Sequence, residues 1–597
     1  MNAPGLGPEL MERGHAPASD GAHATAGPSA GDLAGGASAR HRTRAREVAA
    51  RRLLGLALVL VPIGWAAWRA LAEGGALVNV GGAKLLGPLL SQALAPRLDP
   101  GFLAVVLDAA ATTVVFAALG TAGALVVGAV GGLVLSDVVW SAHQPAWFRL
   151  VRLAVRGLLV SIRAIHEIVW ALLFVSVLGL DPLVAVLAIA LPFGAQTAQV
   201  FGESLDNAPR RSLLALRAAG ARPASAVVYG LLPSARGVLT SYSFYRFECA
   251  IRSAVILGVV GVGGLGQELV VSLQSRNWDE VWTLIGAVLV LSAIVDGWSS
   301  VVRRDLAVGS CSDWSAGNLR ADRHRSRHVA GWSFLLALPL LVAAWVASGV
   351  SLSGLTSERT RRLSASLAAD LWPPALPLGG MPELTGAVLD TVAMAVLAMA
   401  VAVVVTALVG PLAMRPSVSS RTGTSAPVRR SARRFARWTG WLGARTLLLV
   451  LRSIPPTVWA VVALFALFPG ILPGAIALGL YTGGILGRLV AEAWESLDRR
   501  PLEALVAAGV PGSLAGLVAL GPSSAHHLIT YTLYRFEICV RDTAVVGVVG
   551  AAGLGRLLSE QLSAFRFPVV TTLLLASLAV SLASEVVGRR LRNGLRA

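Results

Sequence analysis

The chain has 597 residues, 55% of them hydrophobic and 14% charged, with a mean hydropathy of +0.68. A soluble domain carries about 25% charged residues, so this composition excludes one and describes a polytopic membrane protein. The net charge of +18 does not indicate nucleic-acid binding, because the basic residues are scattered in short segments between apolar runs, as in cytoplasmic loops.

Two further exclusions follow from single residue types. Lys84 is the one lysine and sits in Gly-Gly-Ala-Lys-Leu, so no phosphate-binding Gly-Lys-Ser/Thr loop is encoded and any ATP hydrolysis belongs to another polypeptide. Cys249, Cys311 and Cys539 have neither disulfide-framework nor metal-ligand spacing and read as small residues at helix contacts.

Residues 1–45, rich in Gly, Ala, Ser, Pro and His, read as a disordered tail and not as a signal peptide. Six spans are then expected at 53–71, 103–135, 151–178, 183–201, 235–260 and 281–302, giving a first unit at 46–305. A basic linker at 306–330 leads to a second unit at 331–597, with spans at 331–348, 385–413, 443–468, 471–490, 524–550 and 568–588. Basic flanks at Arg40–Arg52, Arg303–Arg327, Arg415–Arg437 and Arg589–Arg596 place both termini in the cytoplasm. Arg359, Arg361 and Arg362 do not fit, since they fall outside.

The two units are copies. An offset of 289 residues carries Tyr245-Arg246-Phe247-Glu248 onto Tyr534-Arg535-Phe536-Glu537, and Arg252 onto Arg541. The same offset relates Arg163 to Arg452, Trp170 to Trp459, Glu203 to Glu492, Gly220 to Gly509 and Pro233 to Pro522. Apolar composition cannot align arginines, glutamates, glycines and prolines in this way. An even number of spans per copy makes it a parallel repeat about an axis along the membrane normal.

In the third span, Arg163-Ala164-Ile165-His166-Glu167 matches Arg452-Ser453-Ile454-Pro455-Pro456, and a break at proline would expose backbone groups to a cavity. His166 reads as a hydrogen-bonded residue between helices. After the fourth span, Glu203 leads through Leu216, Ala219 and Gly220 to Pro233, and Glu492 leads through Glu503-Ala504, Ala508 and Gly509 to Pro522. Each is a short amphipathic helix, a glycine that permits a close turn, and ~13 residues to the proline entering the next span.

In the fifth span, Glu248 precedes Arg252 by four residues, as Glu537 precedes Arg541, the favourable order for a helical pair. Such pairs either neutralise each other or line a path. Arg246 and Arg535 have no partner four residues on, and their forked guanidinium suits an anion with paired oxygens. Asp542 follows Arg541 in the second copy alone, so the halves differ electrically. Gly261, Gly264 and Gly266, and their matches Gly550, Gly553 and Gly555, end the fifth span and read as an outer gate.

The loops resemble the cytoplasmic coupling loop of ABC importer permeases, Glu-Ala-Ala, three residues, Gly, nine residues, an apolar residue, one residue, Leu-Pro. The second copy has Glu503-Ala504 where the first has Leu214-Ala215. The Tyr-Arg-Phe-Glu segments with their glycine runs resemble the phosphonate/phosphite permease branch, over about 160–590 in two pieces.

The resemblance implies an all-α type I importer permease of about 12 spans, two fused repeats forming one pore in a bacterial plasma membrane, and no catalytic site in this chain. It also implies two copies of an ATPase subunit carrying ATP and Mg, and an extracytoplasmic binding protein. An importer of methionine or glycine-betaine type shares the coupling loop. An ion-coupled carrier using Glu167, Glu248 and Glu537 is the contrasting class.

Overall fold

In the computed structural model the described residues are 55–72, 77–140, 146–308, 336–351, 353–415, 427–498 and 500–596. The tail 1–45 and most of the linker 306–330 lie outside them. The described residues are helical, with one isolated antiparallel bridge, Val78–Leu467.

The first repeat comprises α1 (Gly55–Ala72), α2 (Pro100–Leu135), α3 (Ala146–Ala164), α4 (Glu167–Leu178), α5 (Pro182–Asp206), α6 (Arg211–Ala218), α7 (Leu232–Gly258), α8 (Leu265–Gln274) and α9 (Trp278–Val308). The second comprises α10 (Leu336–Ser348), α11 (Glu358–Asp370), α12 (Gly380–Val409), α13 (Pro427–Ser453), α14 (Pro456–Ala466), α15 (Ile471–Ser496), α16 (Arg500–Ala507), α17 (Gly512–Val548), α18 (Leu554–Ser563) and α19 (Phe567–Arg596).

Among the described residues, seven helices are long and apolar enough to cross a membrane alone: α1, α2, α5, α9, α12, α15 and α19. The bent pairs α3–α4 and α13–α14 raise the number to nine. The remaining expected spans are the shorter apolar α10 and the helices α7 and α17, which carry the Tyr-Arg-Phe-Glu segments. Every expected span position is thus a helix, but the third is not a single rod. α3 meets α4 at 93°, and the helix ending at Ser453 meets α14 at 91°. The second repeat breaks at Pro455, which caps α14. The first breaks just as sharply without proline, because His166 is the N-cap of α4 and its Nδ1 accepts from Ile168 N at 3.2 Å.

Local chemistry sets the other helix starts. Asp99 and Asp181 cap α2 and α5, accepting from Phe102 N (3.0 Å) and Leu183 N (2.7 Å), and each is followed by proline in the first turn. The hydrogen bond from Arg97 holds the Asp99 carboxyl below its usual range.

In each repeat the second and fourth spans pack closely through small residues, as apolar helices do in lipid. A Cβ on Gly120, Gly128 or Gly132 of α2 would lie 2.4–2.7 Å from Ile189, Thr197 or Phe201 of α5. In the second repeat the glycines are on the other helix: Gly479 and Gly483 of α15 face Val401 and Val405 of α12 at 2.5 and 2.8 Å.

The repeats interlock through the helices that follow the breaks. Ile168 and Val169 of α4 are buried with Leu554, Leu557 and Leu573 of the second repeat. Ile454 and Val458 of the second repeat are buried with Leu265, Leu269 and Leu284 of the first.

Candidate translocation cavity

A cavity of about 500 Å³ lies between the repeats, lined by both α3–α4-type breaks and by α5, α7, α15 and α17. Arg163, Arg246, Arg252, Arg452, Arg535, Arg541 and the additional Arg488 line it, against four carboxylates, Glu167, Glu248, Glu492 and Asp542. The lining thus carries an excess of positive charge, part of which Glu585 and Asp296 offset from behind.

Of the nine residues that the sequence marks as a pathway, eight are brought together here. Glu537 does not line the cavity. Its carboxylate takes Arg592 of α19 at 2.6 Å, and Gly588 leaves the room, since a Cβ there would stand 2.1 Å from Glu537 Oε1. The expected Glu537–Arg541 pair is therefore replaced. Arg541 instead donates to the carbonyl of Arg163 at 2.9 Å, so the backbone group freed by the break in one repeat is satisfied by a cation from the other. The equivalent pair in the first repeat does form, with Arg252 Nη2 3.5 Å from Glu248 Oε1.

Sequence reasoning missed the acids that hold the break arginines. Arg163 donates to both oxygens of Glu585 at 2.7 and 2.9 Å. Arg452 donates to Asp296, which Arg488 also reaches at 3.1 Å. Asp296 belongs to the first repeat and Glu585 to the second, so each repeat's sixth span neutralises the other's third. The signal was present: Asp296 and Glu585 are themselves 289 residues apart.

Around the third-span break the two halves exchange roles. Ser253 Oγ donates to Glu167 Oε1 at 2.6 Å. At the matching positions stand Pro456 and Asp542. Asp542 lies 3.5 Å from His166 Nε2, whose Nδ1 is 3.4 Å from Glu167.

The coupling-loop residues lie at a distance along the chain from this cavity. Leu216, Ala219 and Gly220 belong to α6 and its end, while Glu503, Ala504, Ala508 and Gly509 belong to α16 and its end. Gly220 (φ 81°) and Gly509 (φ 86°) are left-handed, and the bonds Ala221 N to Leu216 O and Val510 N to Leu505 O close both helices identically. Leu214, Ala215, Ala218 and Ala219 are exposed, as are Ala504, Val506, Ala507 and Ala508. Glu203 and Glu492 sit in the last turns of α5 and α15, and Glu492 reaches the cavity, where it takes Arg488 at 2.7 Å.

None of Gly261, Gly264, Gly266, Gly550, Gly553 and Gly555 lines the cavity. They turn the chain from α7 to α8 and from α17 to α18. Gly264 (φ 80°) and Gly553 (φ 97°) lead Leu265 N and Leu554 N onto the hydroxyls of Thr113 and Thr391, both at 2.9 Å. Gly266 packs on α7 so tightly that a Cβ would fall 1.8 Å from Val255 O.

Residues 140–308 and 430–597 each match the family model described as "Binding-protein-dependent transport system inner membrane component". The chain belongs to that family, twice over. These are transport permeases of the inner membrane that work with ATPase and substrate-binding partners.

Similarity runs across nearly the whole chain to the phosphate-import permease protein PhnE of Mycolicibacterium smegmatis, 27% identical over 86% of this chain and 90% of that protein. The phosphite transport system permease protein PtxC of Stutzerimonas stutzeri is 30% identical over 28% of this chain and 60% of its own length. The putative cryptic phosphonate transport system permease protein PhnE2 of Escherichia coli K12 is 35% identical over 20% of this chain and 97% of that protein. No solved structure matches the chain. The relatives of this permease are thus named for phosphorus oxyanions.

Proposed function

We propose that this chain forms the whole pore of an ATP-driven importer for a phosphorus oxyanion (phosphonate, phosphite or phosphate). The reading is carried by the arginine-rich cavity that both repeats build from matching segments. The units 46–305 and 331–597 act as the two permease halves, with both termini cytoplasmic. Two ATPase subunits, which bind ATP and Mg, dock on the exposed faces of α6 and α16. An extracytoplasmic binding protein delivers substrate at the other end of α7 and α17, beside the glycine turns that act as the outer gate. Closure of the ATPases moves α6 and α16 and switches the cavity between outward and inward access.

Vesicles containing the chain, its ATPase and its binding protein are expected to accumulate phosphate, phosphite or methylphosphonate only when ATP is supplied. Replacing Gly220 and Gly509 by Val is expected to leave insertion intact but to lower uptake per ATP hydrolysed at least tenfold. Accumulation by the chain alone, or unaltered coupling in the double variant, overturns the reading.

A further inference from the structure

The seven arginines of the cavity are not alike. Arg163, Arg452 and Arg488 are held by Glu585 and Asp296, as described, and Arg252 by Glu248. Arg541 is spent on the Arg163 carbonyl. Arg246 donates to the Tyr242 hydroxyl and to the Gln196 side-chain oxygen, and its guanidinium stacks 4.9 Å from the Phe193 ring.

Arg535, the copy of Arg246, keeps a tyrosine (Tyr531) four residues before it but has neither the amide acceptor nor the stacking ring. It is 93% buried and lines the cavity, yet Nε and Nη2 have no hydrogen-bond partner among the described residues. The sequence supplies the cause. The positions matching Gln196 and Phe193 are Ile485 and Thr482, so the amide acceptor and the stacking ring are both gone from the second repeat.

We propose that Arg535 is the anion-holding residue of the pore, so that each chain holds one tetrahedral phosphorus oxyanion, and holds it on the wall of the second repeat. The proposal rests on the importer reading above and adds the subsite to it. An unpaired guanidinium inside a membrane protein is costly. Two free N–H groups of a planar fork match two oxygens of a phosphoryl group, and a charge-assisted bidentate contact offsets that cost when the anion arrives.

Gln196 performs the ligand's role for Arg246 permanently, so the first repeat is closed to it. The paired arginines nearby add positive potential without offering a vacant donor pair. The cavity of about 500 Å³ is larger than a bare oxyanion, which leaves space for the organic group of a phosphonate.

The test is direct binding of methylphosphonate, phosphite and inorganic phosphate to the purified full-length permease in detergent, without ATPase or binding protein, by equilibrium dialysis. The wild type is expected to bind one anion saturably. Arg535→Gln is expected to weaken binding at least tenfold. Ile485→Gln restores to Arg535 the acceptor that Gln196 gives Arg246, and it is expected to weaken binding at least fivefold while both arginines remain. Gln196→Leu together with Tyr242→Phe removes both acceptors from Arg246 and is expected to raise the stoichiometry towards two.

Arg535→Gln that elutes aggregated is replaced by Ile485→Gln, which removes no charge. Undiminished binding by Ile485→Gln, or no saturable binding by the wild type, overturns the subsite. ATP-driven uptake by the assembled wild-type complex in that same case leaves the importer reading standing, and its absence removes both.

Discussion

The two repeats present the same skeleton with different chemistry at the points that matter for an ion path. Both third spans bend by nearly a right angle, yet one uses His166 as a cap and the other uses Pro455. The first repeat carries its acid on α4 (Glu167) and a serine on α7 (Ser253). The second has Pro456 and Asp542 at those positions. Arg246 is enclosed by partners and Arg535 is not. The two repeats thus keep what bends and interlocks the helices, together with the cavity arginines, and diverge in the groups that partner those arginines. Among the described cavity arginines, Arg535 has two donor nitrogens without a partner, and unpaired charge in the membrane is costly.

The reciprocal bridges give the largest test of this comparison. Arg163→Leu leaves Glu585 with only the distant Arg589 at 3.9 Å, whereas Arg452→Leu leaves Asp296 with Arg488 at 3.1 Å. Loss of one partner of a buried pair costs about 3–5 kcal/mol. Arg163→Leu is therefore expected to destabilise by about 3 kcal/mol and Arg452→Leu by about 1 kcal/mol. Thermal melting of the purified chain decides, and equal losses would mean that Arg488 does not back up Asp296. The exchange Arg163→Glu with Glu585→Arg is expected to recover most of the stability.

A second contrast concerns the glycines of the turns. A Cβ on Gly266 falls 1.8 Å from a carbonyl oxygen, while one on Gly555 comes no closer than 2.8 Å to Ala544. Overpacking costs about 1–3 kcal/mol. Gly266→Ala is expected near or above the upper end, with reduced yield in the membrane, and Gly555→Ala near the lower. A reversed order in the same melting assay would show that α18, and not α8, is the tighter contact.

The smallest effect is one of pH. Asp99 caps α2, while α18 of the second repeat begins after Gly553 with no side-chain cap and no acid in its first turn. Because the folded Asp99 carboxyl titrates below its ordinary value, its contribution is complete above that value and is lost as pH falls through the folded one. Hydrogen exchange at residues 101–104 is expected to accelerate as pH falls below about 4, with no matching change at 554–558. Acceleration at both sites would remove Asp99 as the cause.

Much of the site was legible beforehand. Eight of the nine pathway residues line the cavity, because an ionisable group in an apolar span must face protein or water and the repeat marked which ones recur. Glu537 was misplaced because helical spacing alone offers Arg541 as its partner, while Arg592 lies in another span. Asp296 and Glu585 were missed because they stand alone in their spans, with no local motif to mark them. The glycine runs, read from sequence as an outer gate, form helix-to-helix turns whose residues touch Thr113, Thr391 and backbone, contacts that only the fold brings together.

What the sequence determined by itself was whatever depends on one segment at a time: apolar length, the doubled order of helices, the left-handed glycines after α6 and α16, and the intramembrane charges. The partner of each charge was decided only by tertiary structure. Helices distant in the chain meet at the cavity, and a carboxylate goes to whichever guanidinium the packing brings within reach. That Arg535, among the described cavity arginines, keeps two donor nitrogens without a partner is therefore visible only once the others have been assigned.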